Sequence, residues 1–252
     1  MKLEAVKKVL SNDNYICFTT DLDWAPEIAI EQMLDLFIEN NIGPTVFVTH
    51  NSEVIQQKKK FIDIGIHPNF VLPSSHGTSP EEIIDCCFNM VPEAKVFRSH
   101  RWFASNDIYD ILCKKGILYE SNICTYMDII PPFIHRSGMI SFPVFFEDGA
   151  YIAHSDNLEF EVVKEQFMQN GLKVINIHPM HFALNTPYFS YTREIKDRLS
   201  REEWNQMDYE TLQKLSYKGN GIQAFIRQLV AFSKNNNVKI VTLKEIYELI
   251  SE

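Results

Sequence analysis

Apolar runs typical of buried strands alternate along this chain with amphipathic helical runs. The segments YICFTT (15–20), TVFVTH (45–50) and KVINIH (173–178) have the character of buried strands. Apolar residues recur at helical spacing from Ile30 to Ile38, which predicts one buried helix face. Alternating strands and helices imply a parallel sheet. About seven or eight such units therefore predict an α/β fold that closes, or nearly closes, into a (β/α) barrel.

The length of 252 residues suits one domain, which we assign to residues 1–252. Residues 182–220 interrupt the alternation, because they are polar, aromatic and only weakly periodic. Connections of this length are usually functional or disordered. We therefore predict a long excursion from the barrel here, and treat it as a candidate lid over the site.

Charge and composition exclude several classes of partner. The formal net charge is −9, which argues against nucleic acid because binding to phosphates needs clustered Lys and Arg. No run approaches the ~20 apolar residues of a membrane span, so we expect no integral membrane association. Five cysteines without a paired pattern, and no apolar signal segment near the start, predict a protein of the reducing cytoplasm. Nothing in the sequence predicts an oligomeric state.

Ionisable residues follow the predicted strands. Asp21 and Asp23 come after the first strand, His67 ends a later one, Arg98 lies at the end of KVFRSH, and His178 ends KVINIH. In a (β/α) barrel the reactive residues lie at the carboxyl ends of the strands. We therefore expect these side chains to gather at one rim.

The aspartate pair predicts a cation site. Two residues that are two positions apart on an extended segment point the same way, so Asp21 and Asp23 should both face the mouth. Two neighbouring anions need a cation or a shared proton. The alternative is that one of them caps the following helix.

Histidines supply the candidate partners of that cation. Neutral imidazole is the commonest metal ligand in proteins, so His67 is expected to bind the metal with Asp23. His76, in the loop after His67, could bend back as a further ligand; the alternative is an exposed loop histidine.

The two remaining candidates are Arg98, which could bind an anion, and His178, which could act as an acid. Arg98 could orient a carboxylate, bind an anionic substrate or serve the structure alone. His178 suits a general acid, because the pKa of histidine lies near neutrality.

The order of the motifs resembles the NodB-homology polysaccharide deacetylases, carbohydrate esterase family 4. The resemblance covers about residues 15–245 and is carried by FTTDLDWAPE, GIHPN, VFRSHRW and VINIHPMH. It implies a distorted (β/α)7–8 barrel, a divalent metal (zinc, with nickel or cobalt as alternatives) and hydrolytic removal of acetyl groups from a carbohydrate. Relatives in surface-polysaccharide biosynthesis suggest the same setting here.

The resemblance also implies roles by position. Asp21 matches the catalytic base, Asp23 and His67 the metal ligands, Arg98 the residue that tunes the base, and His178 the general acid. The family usually has a second histidine four residues after the first. Here that position is Val71, and His76 is taken as its replacement.

Two other functions also fit parts of the sequence. FTTDLD resembles the strand end of haloacid-dehalogenase-type phosphohydrolases, whose first aspartate is a nucleophile. A barrel that has lost its metal could instead bind sugar without turnover.

Overall fold

The computed structural model describes residues 2–155 and 157–251. Its strands are short apart from two of eight and seven residues, and they all belong to one sheet. In chain order they are β1 (Asn14–Asp21), β2 (Thr45–Val48), β3 (Asp63–Ile66), β4 (Val96–Phe97), β5 (Tyr119–Glu120), β6 (Phe133–Ile134), β7 (Ile140–Ser141), β8 (Val144–Glu147), β9 (Gly171–Ile177) and β10 (Lys239–Ile240).

Most helices connect the strands, one precedes the first strand and one follows the last. They are α1 (Leu3–Leu10), α2 (Glu27–Glu39), α3 (Glu53–Lys58), α4 (Pro80–Met90), α5 (Asn106–Lys114), α6 (Asp148–His154), α7 (Lys164–Met168), α8 (Pro179–Ala183), α9 (Tyr191–Lys196), α10 (Arg201–Asn205), α11 (Tyr209–Leu215), α12 (Ile222–Asn235) and α13 (Leu243–Ser251). Among the described helices, none has the length and apolarity that crossing a bilayer requires.

The sheet is a curled, largely parallel one. Its strand order is β6–β7–β5–β4–β3–β2–β1–β9–β8, with β10 paired to β1. The pair β6 and β7 is antiparallel, and the other pairs are parallel. A single bridge from Cys124 to Val144 connects the segment after β5 with β8. This bridge draws the two sides of the sheet together, so the predicted distorted (β/α) barrel is confirmed.

Strand β1 lies between β2 and β9 in the sheet and also pairs with β10. It pairs with β9 along its length from Asn14 to Thr20, and every residue from Tyr15 to Asp21 is buried. Burial of this kind is typical of a parallel sheet with both faces covered. Because Asp21 is the last residue of β1, the strand carries it to the carboxyl edge.

Helix α2 follows the predicted periodicity. It starts after Pro26 and buries Ile30, Met33 and Phe37 completely. Full burial of side chains of this size stabilises a fold by roughly 1.5–3 kcal/mol each. No aspartate caps this helix, because Pro26 occupies the cap position, which removes the capping alternative for Asp21 and Asp23.

The sequence pattern predicts a helix over residues 159–169 and a closing strand at VKIVTL (238–243), and the structure differs from both predictions. Residues 159–169 form a 3₁₀ turn (Phe160–Val162) and then α7, because the backbone at Val163 leaves the helical region. Strand β10 spans two residues, fewer than VKIVTL suggested, and lies beside β1 within the sheet.

The excursion over residues 182–220 contains short helices, α9, α10 and α11. Ser200 and Glu203 form a reciprocal capping box at the start of α10, and Asp208 caps α11. Buried Trp204 and Leu212 anchor the segment to the core. Each helix makes only one or two turns, which is too short for the helical period to show in the sequence.

Candidate active site at the carboxyl edge of the sheet

The buried carboxylate of Asp21 is held by two donors. Arg98 Nη1 donates to Oδ1 at 2.9 Å, and Asn176 Nδ2 donates to Oδ2 at 2.7 Å. Each oxygen thus has its own donor, which fixes the plane of the carboxylate. The sequence reasoning gave no role to Asn176. The sequence nevertheless contains an indication of its place. Asn176 comes two residues before His178 in the predicted strand KVINIH, so the two side chains should lie on the same face.

Arg98 lies at the centre of this arrangement and is completely buried. A buried guanidinium is tolerated only when its charge is paired and its donors are satisfied. Phe47 packs against its plane, with Cζ 4.3 Å from the ring centroid. Its N–H groups donate to oxygens of Thr19, Asp21, Ser121 and Asn176.

Asp23 reaches the site through a turn. Its φ is 45° and that of Trp24 is 55°, both in the left-handed region that costs energy for residues other than glycine. The expectation that Asp21 and Asp23 point the same way along an extended segment is therefore wrong for the backbone. The turn nevertheless brings Asp23 Oδ1 to 3.2 Å from His67 Nε2 and 3.0 Å from His100 Nδ1.

The electrostatics of Asp23 favour its charged form. Burial alone would raise the pKa of this carboxyl. Hydrogen bonds from His100 and His67, together with the charge of nearby His178, outweigh burial and hold the pKa of Asp23 well below its usual range. Asp23 is therefore an anion at neutral pH.

Asp23, His67 and His100 have the composition of a metal site. One potential ligand atom from each lies within 4.8 Å of the others. His67 is almost completely buried, and its Nδ1 has no hydrogen-bond partner among the described residues. One carboxylate and two imidazoles match the ligand types of catalytic zinc sites. The donor set therefore fits a divalent cation.

His76 is not part of this group, contrary to the sequence expectation. Its Nε2 lies 2.7 Å from the carbonyl oxygen of Thr49, and its Nδ1 accepts a hydrogen bond from the backbone N–H of Asn69 at 3.2 Å. Both ring nitrogens thus stabilise the loop. His100 takes the place foreseen for His76, because β4 is the neighbour of β3 in the sheet and ends beside it.

His178 lies across the cleft in a tight pair with Asp148. Its Nδ1 is 2.6 Å from Asp148 Oδ1, and its backbone N–H donates to Oδ2 at 2.8 Å. The other nitrogen, Nε2, lies 3.7 Å from Asp23 Oδ2 and so faces the candidate metal group. Burial lowers the pKa of His178, but the charges of Asp148, Asp23 and Glu147 raise it well above its usual value.

The sequence reasoning missed Asp148. Its signal was the same as that of the other site residues, because it directly follows a strand, β8. Asp148 also lies 3.3 Å from His181 Nδ1, and the charges of both histidines hold its pKa below the usual range although burial opposes this. Asp148, His178 and His181 are close enough together to bind a cation as well. The short contact between His178 and Asp148 instead describes a hydrogen-bonded ion pair.

A cleft of about 550 Å³ is lined by Asp21, Asp23 and the histidines His67, His100, His178 and His181. The excursion contributes Lys196 and Trp204 to its wall. The excursion thus supplies part of the lining of the cleft.

Glu120, beside the Arg98 cluster, gives a prediction for stability. Burial raises its pKa to about 6, although a hydrogen bond from the backbone N–H of Asn122 and the charge of Arg98 oppose the shift. A raised pKa in the folded state favours folding below the unfolded value of about 4.3, and this contribution is lost as the pH rises through 6. Relative to wild type, Glu120→Gln should gain about 2 kcal/mol of unfolding free energy between pH 4 and pH 7.

Urea unfolding of both proteins across this range measures the difference. Glu165→Gln, at an exposed position, is the control and should show no such trend. A difference between Glu120→Gln and wild type that is constant with pH would contradict the prediction.

Comparison with known proteins places this chain among carbohydrate-active hydrolases. A protein from Bordetella bronchiseptica, assigned as a polysaccharide deacetylase involved in O-antigen biosynthesis, is 25% identical, with a TM-score of 0.75 over 86% of this chain and 90% of that one. A polysaccharide deacetylase assigned in Mycobacterium smegmatis shares the fold, with a TM-score of 0.55 at 13% identity, over 94% and 90% of the two chains. Among curated proteins, none matches significantly.

The fold and the carboxylate–histidine rim, together with the Bordetella relative and a family match, define a carbohydrate deacetylase, a hydrolase. Within this class the chain belongs to the WbmS-like polysaccharide deacetylase family, whose model matches residues 18–195. This confirms the resemblance seen in the sequence. The haloacid-dehalogenase-type alternative is excluded by the same match.

Proposed function

We propose that this protein is a metal-dependent deacetylase that hydrolyses the acetamido group of an N-acetylated sugar. The observation that carries the proposal is the meeting of Asp21, the group of Asp23, His67 and His100, and the His178–Asp148 pair around one cleft. The role in O-antigen biosynthesis assigned to the Bordetella relative supports a place in surface-polysaccharide biosynthesis. All five cysteines are unpaired, which favours a reducing compartment such as the cytoplasm.

Asp23, His67 and His100 would hold the metal, and zinc suits these ligands best, with nickel or cobalt as alternatives. When bound, a divalent cation supplies Lewis-acid chemistry that polarises the acetyl carbonyl and acidifies water.

Asp21 acts as the general base in this proposal. Its carboxylate oxygens are held by Arg98 and Asn176, so the remaining lone pairs point in a fixed direction. Asp21 takes a proton from the attacking water as the oxygen bonds to the acetyl carbon.

His178 acts as the general acid. Asp148 holds Nδ1 and favours the protonated ring, which leaves the Nε2 proton facing the cleft. His178 delivers this proton to the sugar nitrogen as the carbon–nitrogen bond breaks, so acetate and the free amine leave.

Metal content is the first test. Elemental analysis of the purified protein should give about one zinc, nickel or cobalt ion per chain. The reason is that the group of Asp23, His67 and His100 offers three protein ligands, the number that a single catalytic zinc usually has. Asp23→Ala, His67→Ala and His100→Ala should each lose it, since each removes a ligand. His76→Gln and the exposed His154→Gln should retain it, because neither side chain belongs to the group.

A metal that is lost in His76→Gln and kept in His100→Ala would overturn the ligand assignment. Acetate release from N-acetylated sugars is then measured on the metal-replete protein. Tight sugar binding without acetate release would favour the sugar-binding barrel over the enzyme.

A further inference from the structure

A second cavity adjoins the catalytic cleft. Its volume is about 790 Å³, larger than that of the cleft itself, and Lys196 and Trp204 line both spaces. The proposed deacetylation uses none of the groups that line this second cavity alone. A substrate that reaches the metal group with its acetamido sugar can therefore place a further part here.

The wall between the two spaces is aromatic. The Trp24 ring lies 5.3 Å from that of His100, and the Trp204 indole N–H donates to the carbonyl of Trp24 at 3.4 Å. Trp24 owes its placement to the same left-handed turn that directs Asp23. Indole rings provide large, rigid surfaces against which a ligand can pack.

The cations at this junction lack partners. The Lys196 ammonium lies over the Trp204 ring, 5.1 Å from its centroid. Among the described residues, neither Lys196 nor Arg201 has a carboxylate within ion-pair distance, whereas neighbouring Arg193 is paired with Asp197 at 2.8 Å.

Besides Asp197, the second cavity has one more acidic residue, Glu27, and its carboxylate is held by hydrogen bonds. It accepts hydrogen bonds from Ser52 Oγ and from the backbone N–H of Val54. In a protein with a net charge of −9, three cations and two acids line this cavity, so its lining carries a net excess of one positive charge. Such a local excess of positive charge attracts anions.

We propose that the second cavity binds an anionic oxyacid group, a phosphate or a carboxylate, which the substrate carries next to the sugar that is deacetylated. This inference rests on the proposed function and specifies its substrate as a charged carbohydrate. Lys196 contacts the anion at the junction, Arg201 contacts it from the rim, and Trp24 and Trp204 pack against the adjoining sugar.

Calorimetric binding to the metal-replete protein tests this. The probes are N-acetylglucosamine 1-phosphate, 2-acetamido-2-deoxyglucuronic acid and the neutral methyl N-acetylglucosaminide. A charge-assisted contact should make at least one charged sugar bind roughly tenfold more tightly than the neutral one. Lys196→Gln and Arg201→Gln should weaken binding of the charged sugars more than binding of the neutral one, and so remove most of that preference. Lys214→Gln, on α11 of the same excursion and outside both cavities, is the control.

Each outcome decides between named alternatives. Preference for the phosphate or for the uronic acid identifies the source of the anion. Equal binding of charged and neutral sugars overturns the inference. A preference for the charged sugars that persists in Lys196→Gln and Arg201→Gln also overturns it, because the metal held by Asp23, His67 and His100 would then bind the anion. Acetate release is followed on the same probes. Charge-dependent binding without release of acetate from any of the three sugars would refute the proposed function. The inference that the second cavity binds an anion would still stand.

Discussion

Replacing Asp21 by asparagine is expected to lower kcat about a thousandfold, within the range that general bases contribute. The amide keeps the shape of the carboxylate but cannot take the proton of the attacking water. Metal content should stay at the wild-type level, because the described ligand group does not include Asp21. Acetate release and elemental analysis on the same preparation measure both quantities.

The same change should also destabilise the protein by roughly 3 kcal/mol, since it leaves the buried charge of Arg98 without its carboxylate. The double variant Asp21→Asn/Asn176→Asp exchanges the two side chains around Arg98. It restores the charge pair and should recover most of the lost unfolding free energy, while kcat stays about a thousandfold below wild type. Recovery of turnover in the double variant would refute Asp21 as the base.

Replacing Asp148 by asparagine is expected to lower kcat by roughly a hundredfold or more at neutral pH. The pKa of His178 is raised by the charge of Asp148, so it should fall in the variant. A general acid works only while protonated, and its activity is lost as the pH rises through its pKa. The alkaline limb of the kcat profile should therefore move to lower pH in Asp148→Asn.

A control and a double variant separate this role from a structural one. Asp107→Asn, exposed in the first turn of α5, should leave the profile unchanged. Adding Asp148→Asn to His178→Ala should cost little further activity, because residues that act as a unit are not additive. An unshifted alkaline limb in Asp148→Asn would count against His178 as the acid.

The sequence is enough to predict which side chains lie at the carboxyl edge of the sheet, because the geometry of parallel strands determines it. Parallel strands end at a common edge, so Asp21, His67, Arg98 and His178 could be grouped before their neighbours were known. It did not predict the order of strands in the sheet. The replacement of His76 by His100 follows from that order, because β4 ends beside β3 while the loop after β3 uses His76 to satisfy its own backbone.

Other gaps have local causes. Asn176 is an ordinary polar residue until its strand is paired with β1, which brings its amide to Asp21. The left-handed backbone at Asp23 cannot be inferred from two carboxylates in an otherwise extended segment. In the excursion, Ser200 and Asp208 cap their helices, but helices so short carry too few apolar positions to define a face in the sequence.

The hydrogen bonds of Arg98 also have a mechanical meaning. The guanidinium donates to Asp21, the last residue of β1. It also holds Ser121, and Ser121 Oγ in turn donates to the carbonyl of Phe142, just after β7. One continuous series of hydrogen bonds thus runs from the proposed base to the far side of the barrel. Insertions or loop exchanges around β5 and β7 will therefore misalign Asp21 before they unfold the protein, and an engineer should graft new specificity onto the excursion instead.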